Sequence, residues 1–399
     1  MLTVTAALSL LAGALSPGGE EDVALEHAWG RVLAREVRSD VDWPPFDTSA
    51  MDGYAVRVSD VARGVELPER PGLVAAGSAP PPAISAGEVV RVMTGAPLPP
   101  GTEAIVPVER SSRENGRVRF EGAAKPGAHI RLRGESVRAG AALLPAGRRL
   151  APGDVALAAL AGHDPIRVFR APRVTVAVSG DEVVRGAAAP EPGSLRDSNG
   201  PMLLAECTAL GWTARRAAAV SDTPAAVELL FAHAGEHEDF LITTGGVSAG
   251  DLDLLPAAAE AAGFEILFHR VAMQPGKPIA VGRRRNVFWI GLPGNPVSAV
   301  VGFHVFAREA LGRFEGDAEP TAPRVAAVLT RALEPAGERD RFHDAALDRS
   351  GSEARVEPLR TSGSHDLAAH GRANALISVP AGTGRLAEGS IVSCLLLSR

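Results

Sequence analysis

Residues 240–253 read FLITTGGVSAGDLD: an apolar run passes into a glycine-rich turn and then into acidic residues. The uninterrupted apolar run is typical of a parallel strand that is covered on both faces. A helical pattern follows at 254–262. Strand, glycine turn and helix in this order indicate a doubly wound α/β domain, in which ligands bind beyond the carboxyl ends of the strands.

The same alternation continues on both sides of this stretch and predicts an α/β domain over residues 171–316. The further predicted strands are 174–178, 213–220, 265–271, 279–282 and 287–291, and the further predicted helices are 201–210, 224–234 and 296–311. Connections of this kind place helices on both faces of a mostly parallel sheet.

The rest of the chain divides into β-rich and helical segments. Short strands between proline and glycine turns predict a β-rich domain at 46–134 and a small β-barrel at 320–399. Residues 1–45 and 135–170 are predicted to form one helical N-terminal region, into which the β-rich domain is inserted. Its helical patterns lie at 1–16, 20–37 and 155–161. The expected fold class is therefore an α/β multidomain protein.

Composition excludes several classes of protein. A net charge of −6 gives no basic field for nucleic acid. Cys207 and Cys394 lie far apart, which argues against a disulfide framework or a cysteine zinc site and fits a reducing compartment. The apolar run 1–16 has no basic start and is too short to span a bilayer, so a helix is favoured over a secretory signal. We expect a cytoplasmic protein that binds neither membrane nor nucleic acid.

Three glycine-containing loops follow predicted strands: SGDE at 179–182, TTGGVS at 243–248 and LPGNP at 292–296. Glycines let backbone N–H groups converge on an anion, and helix starts add favourable dipole ends. Neither the GxGxxG fingerprint nor the P-loop motif is present, so the loops predict a phosphate site of another kind. The candidate binding residues are Ser179, Gly180, Gly245, Gly246, Ser248, Pro293, Gly294, Asn295 and Pro296.

Acidic residues occupy the same loops or the segments beside them, at Asp181, Glu182, Asp222, Asp251 and Asp253. Carboxylates beside an anion repel it unless a hard cation lies between them, which predicts Mg²⁺ held by Asp253 and Glu182. Helix capping is the alternative, and for Asp222 capping and function remain open. Lys277 lies between Gly276 and Pro278 on a predicted turn, where an ammonium suits an oxyanion.

Nine stretches together resemble the molybdopterin molybdenumtransferase family, which is related to gephyrin. They run in family order over almost the whole chain: 47–56 (DTSAMDGYAV), 93–97 (MTGAP), 130–135 (IRLRGE), 179–182 (SGDE), 197–199 (DSN), 244–253 (TGGVSAGDLD), 274–278 (QPGKP), 292–298 (LPGNPVS) and 362–365 (SGSH). Two positions depart from the pattern: Ser136 stands where some members have an aspartate, and Gln274 stands where others have a lysine.

The resemblance implies a molybdopterin-binding α/β domain and an elongated homodimer. It implies that Asp52 and Thr94 of one subunit face the α/β domain of the other, and that Glu182, Asp222 and Asp253 are the acidic catalytic residues. Molybdate is then expected at Arg270, Lys277 and Ser364, the first of which falls where the family has a basic residue.

The hypothesis that follows is insertion of molybdate into adenylyl-molybdopterin, with Mg²⁺-dependent release of AMP. Possible protein partners are the molybdopterin adenylyltransferase and apo-molybdoenzymes. Two alternatives remain open: adenylylation of molybdopterin by ATP, and a non-catalytic scaffold of the gephyrin kind.

Overall fold

The computed structural model describes residues 1–62, 64–187, 189–218, 220–247 and 254–397. Two predicted site residues, Ser248 and Asp253, lie outside these ranges. Three six-stranded sheets dominate the described residues.

The central sheet confirms the predicted α/β domain. Its strands lie in the order Ala214–Arg216, Val174–Val178, Phe240–Thr244, Val287–Leu292, Ala280–Arg284 and Glu265–His269. The first four strands are parallel, whereas the fifth is antiparallel to both of its neighbours. The helices of this part of the chain are Asn199–Ala209, Pro224–His237, Leu255–Ala261, Pro296–Gly302 and Arg308–Phe314.

Alternate side chains of the central sheet enter two separate hydrophobic cores. Val176, Ile242 and Ile290 pack with the helices on one face. Leu241 and Trp289 pack with the helices on the other face. This alternation follows from the pleat of a strand, and it explains why every residue of Val174–Val178, Phe240–Thr244 and Val287–Leu292 is buried.

The predicted helix at 296–311 is divided in the structure. Pro296–Gly302 is α-helical, Phe303–Ala307 forms a π-helical turn, and Arg308–Phe314 is α-helical again. Within the π-helical turn, the buried His304 places Nε2 3.3 Å from a carboxylate oxygen of Glu206. A π-helical turn changes the side-chain register, which periodicity alone does not predict.

The predicted helical N-terminal region is wrong, because this region is rich in strands. Within 20–37 the structure has strand Glu20–Val23, 3₁₀ turn Leu25–His27 and strand Val37–Arg38. The first strand pairs with Ile166–Phe169, and the last pairs with Ala142–Leu144. Pairing with segments more than a hundred residues away overrides the weak local preference for helix.

Two stretches of this region are helical, namely Val4–Ala14 and Pro152–Leu160. Thr3 caps the first of them by accepting a hydrogen bond from the N–H of Ala6 at 3.2 Å. The buried face of this first helix, formed by Val4, Ala7 and Leu11, belongs to the same core as the central sheet. The N-terminal helix therefore packs onto the α/β domain.

The β-rich segment contains a curled six-stranded sheet. Its strands lie in the order Ala104–Pro107, Gly53–Val56, Val89–Val92, Glu66–Val74, Arg117–Phe120 and Ser111–Glu114. A short strand, Thr48–Ser49, pairs with Ile130–Arg131 where the chain enters and leaves this part. Two 3₁₀ turns, Val58–Asp60 and Val108–Arg110, connect strands.

The C-terminal part is the predicted barrel. Five strands close on themselves in the order Asp340–Asp348, Arg355–Pro358, Arg324–Leu329, Ile391–Leu396 and Ala375–Val379. The short strand Met273–Gln274 from the α/β domain adds in parallel to the first barrel strand, with Gln274 opposite Arg341. A single helical turn, Leu367–His370, lies beside the barrel, and the short strands Val183–Val184 and Leu195–Arg196 pair within the α/β domain.

In the part of the chain that the structure describes, no helix has the length and apolar character needed to cross a membrane.

Replacing Leu11 with Ala tests the packing of the N-terminal helix on the central core. Leu11 is fully buried, so Leu11→Ala is expected to lower the free energy of unfolding by about 2–5 kcal/mol. The matched control is Leu10→Ala, because Leu10 is 47% exposed and is expected to change stability by less than about 0.5 kcal/mol. Urea unfolding measures both, and equal effects of the two substitutions would contradict this packing.

Candidate active site

Three predicted glycine loops leave the central sheet side by side. The N–H of Ser179 donates to the carbonyl of Thr244 at 3.2 Å, and the N–H of Gly245 donates to the carbonyl of Leu292 at 3.1 Å. A Cβ on Gly245 would lie 2.8 Å from the Ser179 carbonyl oxygen, and Gly245 has a φ of +93°. Only glycine fits there without strain, because both the backbone angle and the available space exclude a side chain.

The third loop, at Gly294, also lies in contact with the second loop, at Gly245. A Cβ on Gly294 would lie 3.6 Å from the Cα of Gly245. The third loop leads into the helix Pro296–Gly302, which begins at Pro296. The second loop contacts the start of the helix Leu255–Ala261, because the N–H of Leu255 donates to the Gly246 carbonyl at 3.3 Å. The predicted residues Ser179, Gly245, Gly246, Gly294 and Pro296 are thus brought together at one edge of the sheet.

A buried side-chain network fixes the second and third loops. The Asn199 side-chain amide donates to Thr244 Oγ1 at 2.8 Å and to the Gly294 carbonyl at 2.7 Å. Thr244 Oγ1 in turn donates to the Pro293 carbonyl at 2.8 Å. Sequence reasoning quoted Asn199 within a motif but gave it no role. The only feature of Asn199 in the sequence is that it is a polar residue near the start of a predicted helix. Such a residue usually indicates a helix cap and does not predict a contact between loops.

Two acidic loops face each other beside Gly180. The N–H of Asp222 donates to an Asp181 carboxylate oxygen at 3.2 Å, and the N–H of Asp181 lies 3.4 Å from an Asp222 carboxylate oxygen. Glu182 is exposed, and a Cβ on Gly180 would lie 2.8 Å from its carboxylate. The helix cap is supplied by Thr223, which accepts a hydrogen bond from the N–H of Ala226. Asp222 therefore does not provide this cap.

The electrostatics of this cluster favour a cation. Burial raises the pKa of the Asp222 carboxyl above its ordinary value, and the charges of Asp181 and Glu182 raise it further. Hydrogen bonds from the backbone of Asp181 and Gly180 act in the opposite direction. A carboxyl that is crowded by like charges binds a divalent cation readily, since the cation removes the repulsion.

Of the predicted magnesium ligands, Glu182 lies within the described residues and Asp253 lies outside them. No group of three or more His, Cys, Asp or Glu in the described ranges is arranged to hold a metal ion. Mg²⁺, however, commonly uses only one or two carboxylates together with phosphate oxygens. Glu182 and Asp222 fit that requirement beside a loop suited to phosphate.

A cavity of about 480 Å³ lies between the α/β domain and the barrel. Four predicted residues line it: Lys277, Pro293, Asn295 and Ser364. The side-chain amide of Asn295 donates to Ser364 Oγ at 2.9 Å, and the N–H of Val297 donates to the Ser364 carbonyl at 3.0 Å. Residues from three distant stretches of sequence therefore meet at one cavity.

Arg270 is not among the residues that line this cavity. It is exposed, it has a φ of +67°, and its N–H donates to the Ile279 carbonyl at 2.9 Å. The structure thus places Lys277 and Ser364 together and leaves Arg270 outside this set.

Three basic residues of the cavity wall were missed from the sequence: Arg339, Arg341 and His343. They alternate along the first barrel strand and the residue before it, as side chains on one face of a strand do. This alternation at every second residue is the one feature of the sequence that groups them. Because it does not predict which face of the strand contacts another domain, the sequence alone could not assign these residues to a site.

Asp52 and Thr94 form a second, separate site in the curled sheet. The backbone N–H and the hydroxyl of Thr94 donate to one Asp52 carboxylate oxygen at 2.7 and 2.8 Å. These hydrogen bonds, and then the charge of Arg91, hold the pKa of Asp52 below its ordinary value. Asp52 and Arg91 line a cleft of about 640 Å³. Among the described residues, this cleft and the cavity at Lys277 have no lining residue in common.

Three family models match the chain in order along its length. The MoeA N-terminal region (domain I and II) matches residues 2–162, the probable molybdopterin binding domain matches residues 175–313, and the MoeA C-terminal region (domain IV) matches residues 326–397.

Similar proteins have related names. The molybdopterin molybdenumtransferase of Bacillus subtilis is 34% identical over 95% of this chain and 90% of its own length. Molybdopterin molybdenumtransferase 2 of Mycobacterium tuberculosis is 36% identical over 92% of this chain and 93% of its own length. The solved structure of the molybdopterin biosynthesis MoeA protein from Pyrococcus horikosii has a TM-score of 0.83 at 28% identity and covers 99% of both chains.

Replacing Asp181 with Asn tests the electrostatic coupling in the acidic cluster. Asn keeps an oxygen that can accept the N–H of Asp222 but removes the charge. Asp181→Asn is therefore expected to lower the pKa of Asp222, as measured by carboxyl ¹³C NMR titration. Glu191→Gln removes an exposed charge from the segment that follows and is the control, with no change expected. An unchanged pKa of Asp222 in Asp181→Asn would mean that the charge of Asp181 does not contribute, and that burial and the charge of Glu182 raise it.

Proposed function

Because this chain belongs to the molybdopterin molybdenumtransferase family and is an enzyme of molybdenum cofactor biosynthesis, we propose that it inserts molybdate into adenylyl-molybdopterin and releases AMP. The observation that carries this proposal is the cavity at which Lys277, Asn295 and Ser364 meet beside the glycine loops. One part of such a site suits an oxyanion, and the adjoining part suits phosphates.

The phosphates of the adenylylated substrate are assigned to the loops at Gly245 and Gly294. These loops approach each other without side chains between them. The N–H of Gly245 already donates to the Leu292 carbonyl, so the anion is assigned to the other backbone N–H groups of the loops. The Asn199 network holds both loops in place before the substrate arrives, which reduces the cost of ordering them on binding.

Molybdate is assigned to the cavity at Lys277 and Ser364. An exposed ammonium on a turn and a hydroxyl held by Asn295 offer a charged and a neutral donor to its oxygens. Arg339 and Arg341 line the same cavity and add positive charge. Arg270 stays a prediction for this role.

Mg²⁺ is assigned to Glu182, together with the predicted ligand Asp253 outside the described residues; Asp222 lies beside Glu182. When bound, the ion supplies Lewis-acid polarisation of the phosphoanhydride. The carboxylates would hold the cation, and its positive charge would remove the repulsion between the acidic side chains and the phosphates.

We further propose that the enzyme acts as a homodimer with a shared active site. Within the described residues, Asp52 lines a cleft that shares no lining residue with the Lys277 cavity, and the family resemblance places Asp52 and Thr94 opposite the α/β domain of the other subunit. Thr94 keeps Asp52 ionised and oriented for that contact. The molybdopterin adenylyltransferase and apo-molybdoenzymes stay predicted partners for delivery and uptake of the cofactor.

Release of AMP from adenylyl-molybdopterin by the purified protein is expected to require both molybdate and Mg²⁺. Lys277→Ala is expected to raise the half-saturating molybdate concentration roughly 10- to 100-fold, the loss of one charged hydrogen bond. Lys125→Ala, which changes the other lysine of the chain, at an exposed position, is the matched control and should have no effect.

The same assay separates the alternatives. AMP release that does not depend on molybdate would rule out the proposed insertion. Formation of adenylyl-molybdopterin from ATP and molybdopterin would support adenylylation instead. The absence of both half-reactions, with binding of a protein partner intact, would favour a scaffold.

Mixing two inactive variants tests the shared site. At the molybdate concentration that half-saturates the wild-type enzyme, Asp52→Ala and Lys277→Ala are each expected to lose most of their activity. When the two chains are co-expressed, half of the dimers carry one of each, and one of their two sites is intact. About a quarter of wild-type activity is therefore expected if each site combines both subunits. A mixture no more active than the two variants separately would contradict the shared site.

A further inference from the structure

Two side chains in the wall of the Lys277 cavity have buried nitrogen atoms without partners. Nε2 of His343 and Nε of Arg341 are inaccessible to solvent, and neither has a hydrogen-bond partner within the described residues. A buried polar atom that lacks a partner costs free energy, and its presence in a native fold calls for an explanation. Both residues line the cavity, so a rotation of either side chain on substrate binding would bring these atoms to a polar group of the substrate.

The charged groups around His343 are mostly cationic. Arg341 precedes it by two residues on the same strand, and Arg339 and Lys277 lie in the same cavity wall. The carboxylate of Asp344 is the opposing charge, and it is already bonded to His370 Nδ1 at 2.8 Å. Gln274 lies opposite Arg341 on the short strand Met273–Gln274, which joins the two domains, and it is uncharged.

This setting keeps the imidazole of His343 neutral near pH 7. Burial lowers its pKa below 6.5, and the charge of Arg341 lowers it further, while Asp344 acts in the opposite direction. A neutral imidazole can accept a proton at one nitrogen and donate one at the other. Arginine cannot accept a proton, and lysine is ordinarily fully charged, so the cations beside it cannot do the same.

We propose that His343 transfers a proton from a dithiolene sulfur of the pterin to a departing oxygen of molybdate. The inference rests on the proposed function, because it concerns the same insertion. Overall, one dithiol and one molybdate dianion give one trioxomolybdenum dithiolene dianion and one water. Two S–H bonds and one Mo–O bond break, while two S–Mo bonds and two O–H bonds form.

His343 ends each turnover as it began. It accepts the proton of one thiol as that sulfur bonds to molybdenum, and it donates this proton to the oxygen that leaves as water. No electrons are transferred, since molybdenum keeps its oxidation state. Arg341, Arg339 and Lys277 balance the two negative charges that are present before and after the step.

The first experiment replaces His343 with Gln, which retains hydrogen bonding but does not titrate. In the molybdate-dependent release of AMP, His343→Gln is expected to lower kcat roughly 100-fold, the usual contribution of a general acid–base, with little change in the KM for molybdate. The control is His237→Gln at an exposed helix end. An unchanged kcat, or an increase in KM alone, would overturn the proposal.

The pH profile and chemical rescue separate proton transfer from a structural role. The wild-type rate is expected to fall as the pH drops through the lowered pKa of His343, which lies below the ordinary 6.5, because a protonated imidazole can no longer accept a proton. His343→Gln should lack this acid limb. In His343→Ala, added free imidazole should restore part of the rate. Persistence of the limb in His343→Gln, or failure of rescue in a folded His343→Ala, would count against the proposal.

A binding measurement keeps this inference distinct from the proposed function. In wild-type protein with ¹⁵N-labelled histidine, inorganic molybdate is expected to shift the ring resonances of His343, and Lys277→Ala should weaken that shift. If AMP release proves independent of molybdate, the proposed function fails on its own assay. The NMR titration still decides whether His343 touches the oxyanion, and the absence of a shift overturns its role.

Discussion

The in-register pairing of three parallel strands is the constraint on which the rest of the site depends. Val178 lies opposite Thr244, and Thr244 lies opposite Leu292, so the strands end at the same level. The loops that follow must therefore share a small volume, and glycine at 245 and 294 makes that possible. A shift of one residue in either pairing would separate the loops and move each side chain of the strand from one hydrophobic core to the other.

Opposite charges are kept apart along the edge that this register creates. The carboxylates of Asp181, Glu182 and Asp222 gather at one side, whereas Lys277 and the barrel arginines gather at the other. The glycine loops lie between them and carry no side-chain charge of their own. An extended substrate with a phosphate group could thus contact a cation held by the acids at one end and an oxyanion held by the bases at the other.

The sequence predicted this sheet well because each of its strands carries its own signal. Residues 174–178 and 240–244 consist of apolar side chains and β-branched threonines and are bounded by turns, and tertiary context only reinforces their preference for strand. The glycine loops follow directly from the strand ends. Helix capping was one of the two roles left open for Asp222, and in the structure Thr223 caps this helix instead, by accepting a hydrogen bond from the N–H of Ala226.

Other features depend on long-range pairing, which a single sequence does not encode locally. Residues 20–23 are a strand only because 166–169 lie beside them, and their composition alone favoured a helix. The basic residues of the barrel wall likewise become part of a site only through the docking of two domains. Arg270 was assigned to the oxyanion by resemblance, and it is not among the described residues that line the cavity.

The strand Met273–Gln274 joins the two walls of the cavity through main-chain hydrogen bonds to the first barrel strand. The distance between the walls is therefore set by the backbone and does not depend on which side chains stand at 274 or 341. Mutations at these two positions can alter the charge of the cavity while its width stays the same. Anion preference in such a protein can consequently drift during evolution without loss of the architecture that presents the anion to the pterin.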